Sequence, residues 1–107
     1  MSYSNKEVTS MLQQNKSSHI NETVADIIFH EVRAYFRATG DKTRVYTEFT
    51  VKEIAERCGG KEAFFKVSTW GVANVLNSIH GITARYDDTS FQIGPSEWLP
   101  LIHIELD

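Results

Sequence analysis

Residues 68–80 read STWGVANVLNSIH, and the reading of this stretch decides the fold. Val72, Val75, Leu76 and Ile79 recur at i, i+3, i+4 and i+7, the spacing that lays one apolar stripe of a helix against a core. Ser68 supplies an N-cap hydroxyl and Gly81 stands just past the end, where glycine most often closes a helix. At about 100° per residue the opposite face carries Trp70, Asn74 and Asn77, with Ala73 and Ser78 at its margins. Such side chains recognise; they do not catalyse. Trp70 has two readings, an outward anchor or, beside Phe64 and Phe65, a core aromatic; burial is the commoner fate of so large a ring.

Working back from this helix, Gly59 to Val67 (GGKEAFFKV) holds two adjacent phenylalanines and reads as an extra turn packed on the core. Before it, Thr50-Val51-Lys52-Glu53 has the S/T-x-x-E form of a capping box. The helix so started buries Val51, Ile54, Ala55 and Cys58, and Gly59-Gly60 ends it. Arg44 to Phe49 alternates β-branched and aromatic residues as a short strand does. Upstream, Val24, Ile27, Ile28, Val32, Tyr35 and Phe36 form the stripe of a helix over Asn21 to Ala38, with Asn21 as its N-cap and Gly40 past its end. Residues 1–20 are rich in Ser, Asn and Gln and read as a flexible arm or weak helix; residues 21–107 form the domain.

Working forward, Ile82 to Tyr86 and Phe91 to Ile93 alternate about the polar turn Asp87-Asp88-Thr89-Ser90 and predict a hairpin. Leu101 to Leu106 alternates again. It is an additional strand, free to pair within the domain or with a second copy.

The resulting α+β order of helix, short strand, capped helix, helix and hairpin resembles a winged helix-turn-helix domain over residues 21–93. TVKEIAERCG is similar to the second helix of such regulators, and VSTWGVANVLNSIHGI to the recognition helix and the start of the wing. The resemblance implies a small DNA-binding regulator of transcription, a homodimer, with this helix in the major groove of duplex DNA. The family's contact positions then fall on Thr69, Trp70, Ala73, Asn74 and Asn77, while Lys61, Lys66 and Arg85 would hold phosphates. Asparagine suits the role because its amide pairs bidentately with adenine.

Charge opens the alternative. The chain of 107 residues is 41% hydrophobic and carries a net charge of -3, so bulk charge does not attract nucleic acid and any such binding needs a local patch. From Lys61 to Tyr86 there are three basic residues and one acidic; from Asp87 to Asp107 there are five acidic residues and no Lys or Arg. An acidic wing tip at Asp87-Asp88 fits a protein-protein interaction module or inhibitor that meets a basic partner without binding DNA.

Other classes find no footing in the sequence. His19, His30, His80 and His103 are scattered and share no ligand spacing with Cys58, so no metal or cofactor is expected. No motif sets a nucleophile against a base, so no enzyme is expected. A single cysteine and the lack of an apolar run near the roughly 18 residues of a membrane span point to a cytoplasmic protein without membrane contact.

Overall fold

The computed structural model describes the backbone of residues 5–106 and the side chains of residues 19–106. The expected N-terminal arm, 1–20, therefore lies mostly outside the described side chains. Helix α1 spans Asn5–Thr39, strand β1 Thr43–Thr47, α2 Glu48–Lys66, α3 Thr69–Ser78, β2 Thr83–Asp87, β3 Gln92–Gly94, β4 Glu97–Trp98 and β5 Leu101–Glu105. The architecture is α+β: three helices on one face of a small antiparallel sheet. No helix among the described residues is long and apolar enough to cross a membrane.

The apolar stripe of α1 packs as its spacing dictates, with Val24, Ala25, Ile28, Val32 and Phe36 buried in the core. The helix does not begin at Asn21, which lies well inside it; that side chain has another task, described below. At the far end Gly40 adopts φ +76° and its N–H bonds Phe36 O at 2.9 Å, closing the last turn.

Strand β1 stops at Thr47, two residues earlier than its alternation suggests, because Thr47 caps α2. Its Oγ1 accepts from Thr50 N at 3.2 Å, so the cap stands one turn earlier than the expected Thr50 box, and Thr50 supplies the donor. Val51, Ile54 and Ala55 are buried as expected, but Cys58 is exposed. The glycine pair ends the first helical part of α2, as expected: both residues leave helical angles, and Gly60 sits at φ +72°, ψ -162°, a region open essentially to glycine alone. After the break, residues 61–66 form a short helical segment that buries Ala63. Lys52 Nζ donates to Phe64 O at 3.2 Å across the kink. Only Phe64 of the aromatic pair is partly buried; Phe65 stands 76% exposed.

The sheet departs most from expectation. Its order is β1-β5-β2, with β5 antiparallel to both neighbours: Tyr46↔Ile102↔Tyr86 and Arg44↔Ile104↔Ala84. The hairpin expected between residues 82–86 and 91–93 does not form. Gln92–Gly94 instead pairs with Glu97–Trp98 in a separate two-stranded ribbon, because Gly94-Pro95 stops the short strand there. The C-terminal strand is thus the centre of the sheet and not an addition to it, with no open edge for a second copy. The cause is apolar content: Ile102 and Ile104 are fully buried, and the middle position covers both best. Tyr46, on the same inner face, has its phenol pushed up to about 12 by burial, with Glu31 adding to the shift.

Candidate nucleic-acid interface

Helix α3 is held on three sides. Val72 and Leu76 are fully buried, and Ala73 and Thr69 are nearly so. Ser68 caps the first turn, its Oγ accepting from Gly71 N at 3.1 Å. Asn21 of α1 fixes that turn from outside: its Oδ1 accepts from Ser68 N at 2.9 Å, and its amide nitrogen lies within clash distance of where a Cβ on residue 71 would be. A side chain at position 71 would have to displace the Asn21 amide from this first turn. At the other end, His80 stacks on Phe29 with ring centroids 4.3 Å apart, and its Nε2 lies 3.8 Å from Asp26 Oδ1.

Asn77 makes the third attachment. Its Nδ2 donates to Ala73 O at 2.9 Å and Ala84 O at 2.6 Å, while its Oδ1 accepts from Ala84 N at 2.9 Å. Both amide hydrogens are spent. Pairing with adenine would require one of them and the carbonyl oxygen, so Asn77 is a clamp between α3 and β2 and does not read bases. Three further expectations for this helix are corrected. Thr69 and Ala73 face the core, because the helix is held on a wider arc than one stripe. Ile79, expected in the buried stripe, is 62% exposed, since the helix ends at Ser78 and residue 79 falls outside the packed turns.

Asn77 is itself exposed but occupied; the expected contact residues left both outward and free are Trp70, 60% exposed, and Asn74, one helical turn on and also exposed. The core reading of Trp70 fails, and the outward one stands. Lys61 and Lys66, in the segment leading into α3, are exposed, and Lys66 pairs with Glu62 at 2.6 Å, which lowers the net charge it presents. Arg85 is not brought to this face. Strand alternation puts it in the outer row with His103 and Val45, whereas its neighbour Ala84 faces inward. Phe65, which spacing did not single out as a surface residue, adds an exposed aromatic just before α3.

The acidic turn after β2 is also different from its sequence reading. Asp87 is buried; it accepts from Thr89 N at 3.0 Å, and the His103 ring nitrogen donates to its other oxygen at 3.1 Å. Hydrogen bonds from Ser90 and Thr89 hold this carboxyl well below the usual carboxylate range. A depressed folded value means that the anchor's contribution is present above the 3.8 of an unconstrained aspartate and is lost as the pH falls. Only Asp88 offers a carboxylate to the outside of the turn. The ribbon beyond it exposes Phe91, Ile93 and Trp98.

Among the described residues no group of three His, Cys, Asp or Glu side chains is placed to hold a metal ion. Comparison of the chain with protein-family models, with curated proteins and with solved structures gives no match.

Proposed function

We propose that the chain is a winged-helix module that binds duplex DNA without catalysing a reaction and acts in transcriptional regulation. The observation that carries this reading is the order of elements about α3. A helix, a short strand and two further helices precede a three-stranded sheet in which the last strand lies between the other two, and the β3-β4 ribbon takes the place of a wing. In that arrangement the third helix is the one offered to a groove. Trp70 and Asn74 are the base-facing residues of this reading, and Lys61 and Lys66 the phosphate contacts.

Anisotropy of a labelled random-sequence duplex tests it. Binding at low salt should weaken steeply as salt rises, and the double variant Lys61→Gln/Lys66→Gln should flatten the logarithmic salt dependence by about two units. Arg85→Gln should leave it unchanged. A chain that fails to bind at low salt is not a DNA-binding module.

A second reading, a protein-protein interaction module or inhibitor, is favoured by one observation. Residues 69–78 contain no charged side chain, yet they expose Trp70. Exposed aromatics without cations are the composition of a protein interface centre. The lysine double variant separates the two, since it weakens DNA binding and spares an aromatic docking surface.

A further inference from the structure

At the opposite end of α3 from the capped turn, the close of α1 and the edge of the sheet form an open cavity of about 480 Å³. Its apolar wall is made by Phe29, Ile82 and Leu106, with the ring of Phe36 behind. Leu106 is fixed there by its N–H, which bonds Lys42 O at 2.8 Å. The rim is basic: Arg33, Arg37 and Lys42 line the same space. Among the described residues none of these three cations is in an ion pair. Arg33 lies over the Phe29 ring at 5.4 Å. The one carboxylate on the rim, Asp41, is engaged by the Tyr35 hydroxyl at 2.9 Å.

This grouping runs against the chain's net charge of -3. A cation at the end of α1 has a local use, because the last turn of a helix favours positive charge. That accounts for Arg37. It does not account for Arg33 a turn earlier or Lys42 beyond the helix, nor for an apolar wall left open between them.

We infer that this cavity binds a small organic anion with an apolar body, a carboxylate or sulfonate whose head meets Arg33, Arg37 and Lys42 while its body lies on Phe29, Ile82 and Leu106. The volume lies within the range of small-molecule sites, which pair apolar walls with a few convergent polar groups. Charged donors facing an anion form hydrogen bonds about twice as strong as neutral ones, so the head fixes orientation. The inference does not depend on whether α3 meets DNA or protein.

The test is a titration of the full chain followed through the backbone amide signals of Ile82 and Leu106. 4-Phenylbutyrate is the probe, 4-phenylbutan-1-ol supplies the body without the charge, and acetate the charge without the body. Saturable shifts with phenylbutyrate are expected at millimolar concentration, with binding by the alcohol and by acetate weaker by about tenfold or more. The double variant Arg37→Gln/Lys42→Gln should weaken phenylbutyrate by a similar factor, and Arg85→Gln should leave it unchanged. The inference is overturned by an absence of saturable shifts, by equal affinity for the alcohol, or by unchanged affinity in the double variant. The comparison of the three probes on the unaltered chain stands even if a variant fails to fold.

Discussion

Asn74 and Asn77 are three residues apart on α3, and they belong to different parts of the molecule. Asn77 is bound at both ends of its amide to Ala73 and Ala84, one of several contacts that fasten the inner side of α3 to α1 and β2. Asn74 stands outside with Trp70. The inner region is saturated with bonds and apolar contact, while the outer one is polar or aromatic and lightly engaged. The difference teaches that residue type does not decide the role of a helix position. Two asparagines with the same chemistry become a structural clamp and a candidate contact because a strand edge lies beside one and not the other.

The largest expected effect that would break this division comes from its apolar limit. Leu76→Ala empties a fully buried site and should cost about 2–5 kcal/mol of unfolding free energy, whereas Ile79→Ala should change it by about 0.5 kcal/mol or less. Denaturant melts of the two variants check the pair. A comparable loss at Ile79 would mean that the apolar stripe continues past Ser78 after all. Next comes the asparagine pair. Asn77→Ala removes three part-buried hydrogen bonds and leaves water to take the place of the amide at Ala84, and a loss of roughly 1–2 kcal/mol follows. Asn74→Ala should leave stability within about 0.5 kcal/mol and, on the proposed DNA-binding reading, alter sequence preference on duplex DNA. Equal melting behaviour in the two variants would erase the distinction between clamp and contact.

The seam between the regions passes through the kink of α2. Gly60→Ala places a Cβ at φ +72°, ψ -162°, and should destabilise by about 1–3 kcal/mol. Were residues 48–66 a continuous helix, the same substitution would instead stabilise by up to about 1 kcal/mol. The sign of the change in a thermal melt therefore decides whether the kink exists, and with it the placement of Lys61, Lys66 and Phe65 before α3.

Much of this was legible in the sequence wherever a pattern was local and repeated. The stripe of α1, the buried face of α2 and the limits of α3 follow from apolar spacing and from Ser68 and Gly81. Long-range choices were not. The alternation of residues 101–106 marks a strand, yet nothing in it says that the strand lies between β1 and β2 instead of beside them, since that depends on which pairing buries Ile102 and Ile104 together. At the site, Thr69 carries no local mark of its burial, and Asn77 none of its bonds to Ala84, seven residues on in the next strand. Asp87 looked like an exposed acid because its partner, His103, is sixteen residues on. A signal did exist for Gly71: a glycine inside an otherwise regular helical pattern points to a close packing contact, and Asn21 is that contact.

The smallest expected effect on stability is also the sharpest test of the outer region. Trp70 is 60% exposed, and no ring contact or side-chain hydrogen bond holds it among the described residues. Trp70→Ala should therefore leave the unfolding free energy within about 0.5 kcal/mol. Binding should respond quite differently, because an exposed aromatic at the centre of a recognition surface is the kind of residue whose truncation costs about 2 kcal/mol or more of affinity. The measurement pairs a melt with a binding isotherm on one variant. Lost affinity at unchanged stability assigns the outer face to recognition, whichever partner it meets. Lost stability would instead place Trp70 with the inner region, and the division of α3 into a fastened side and a reading side would then fail at its most exposed residue.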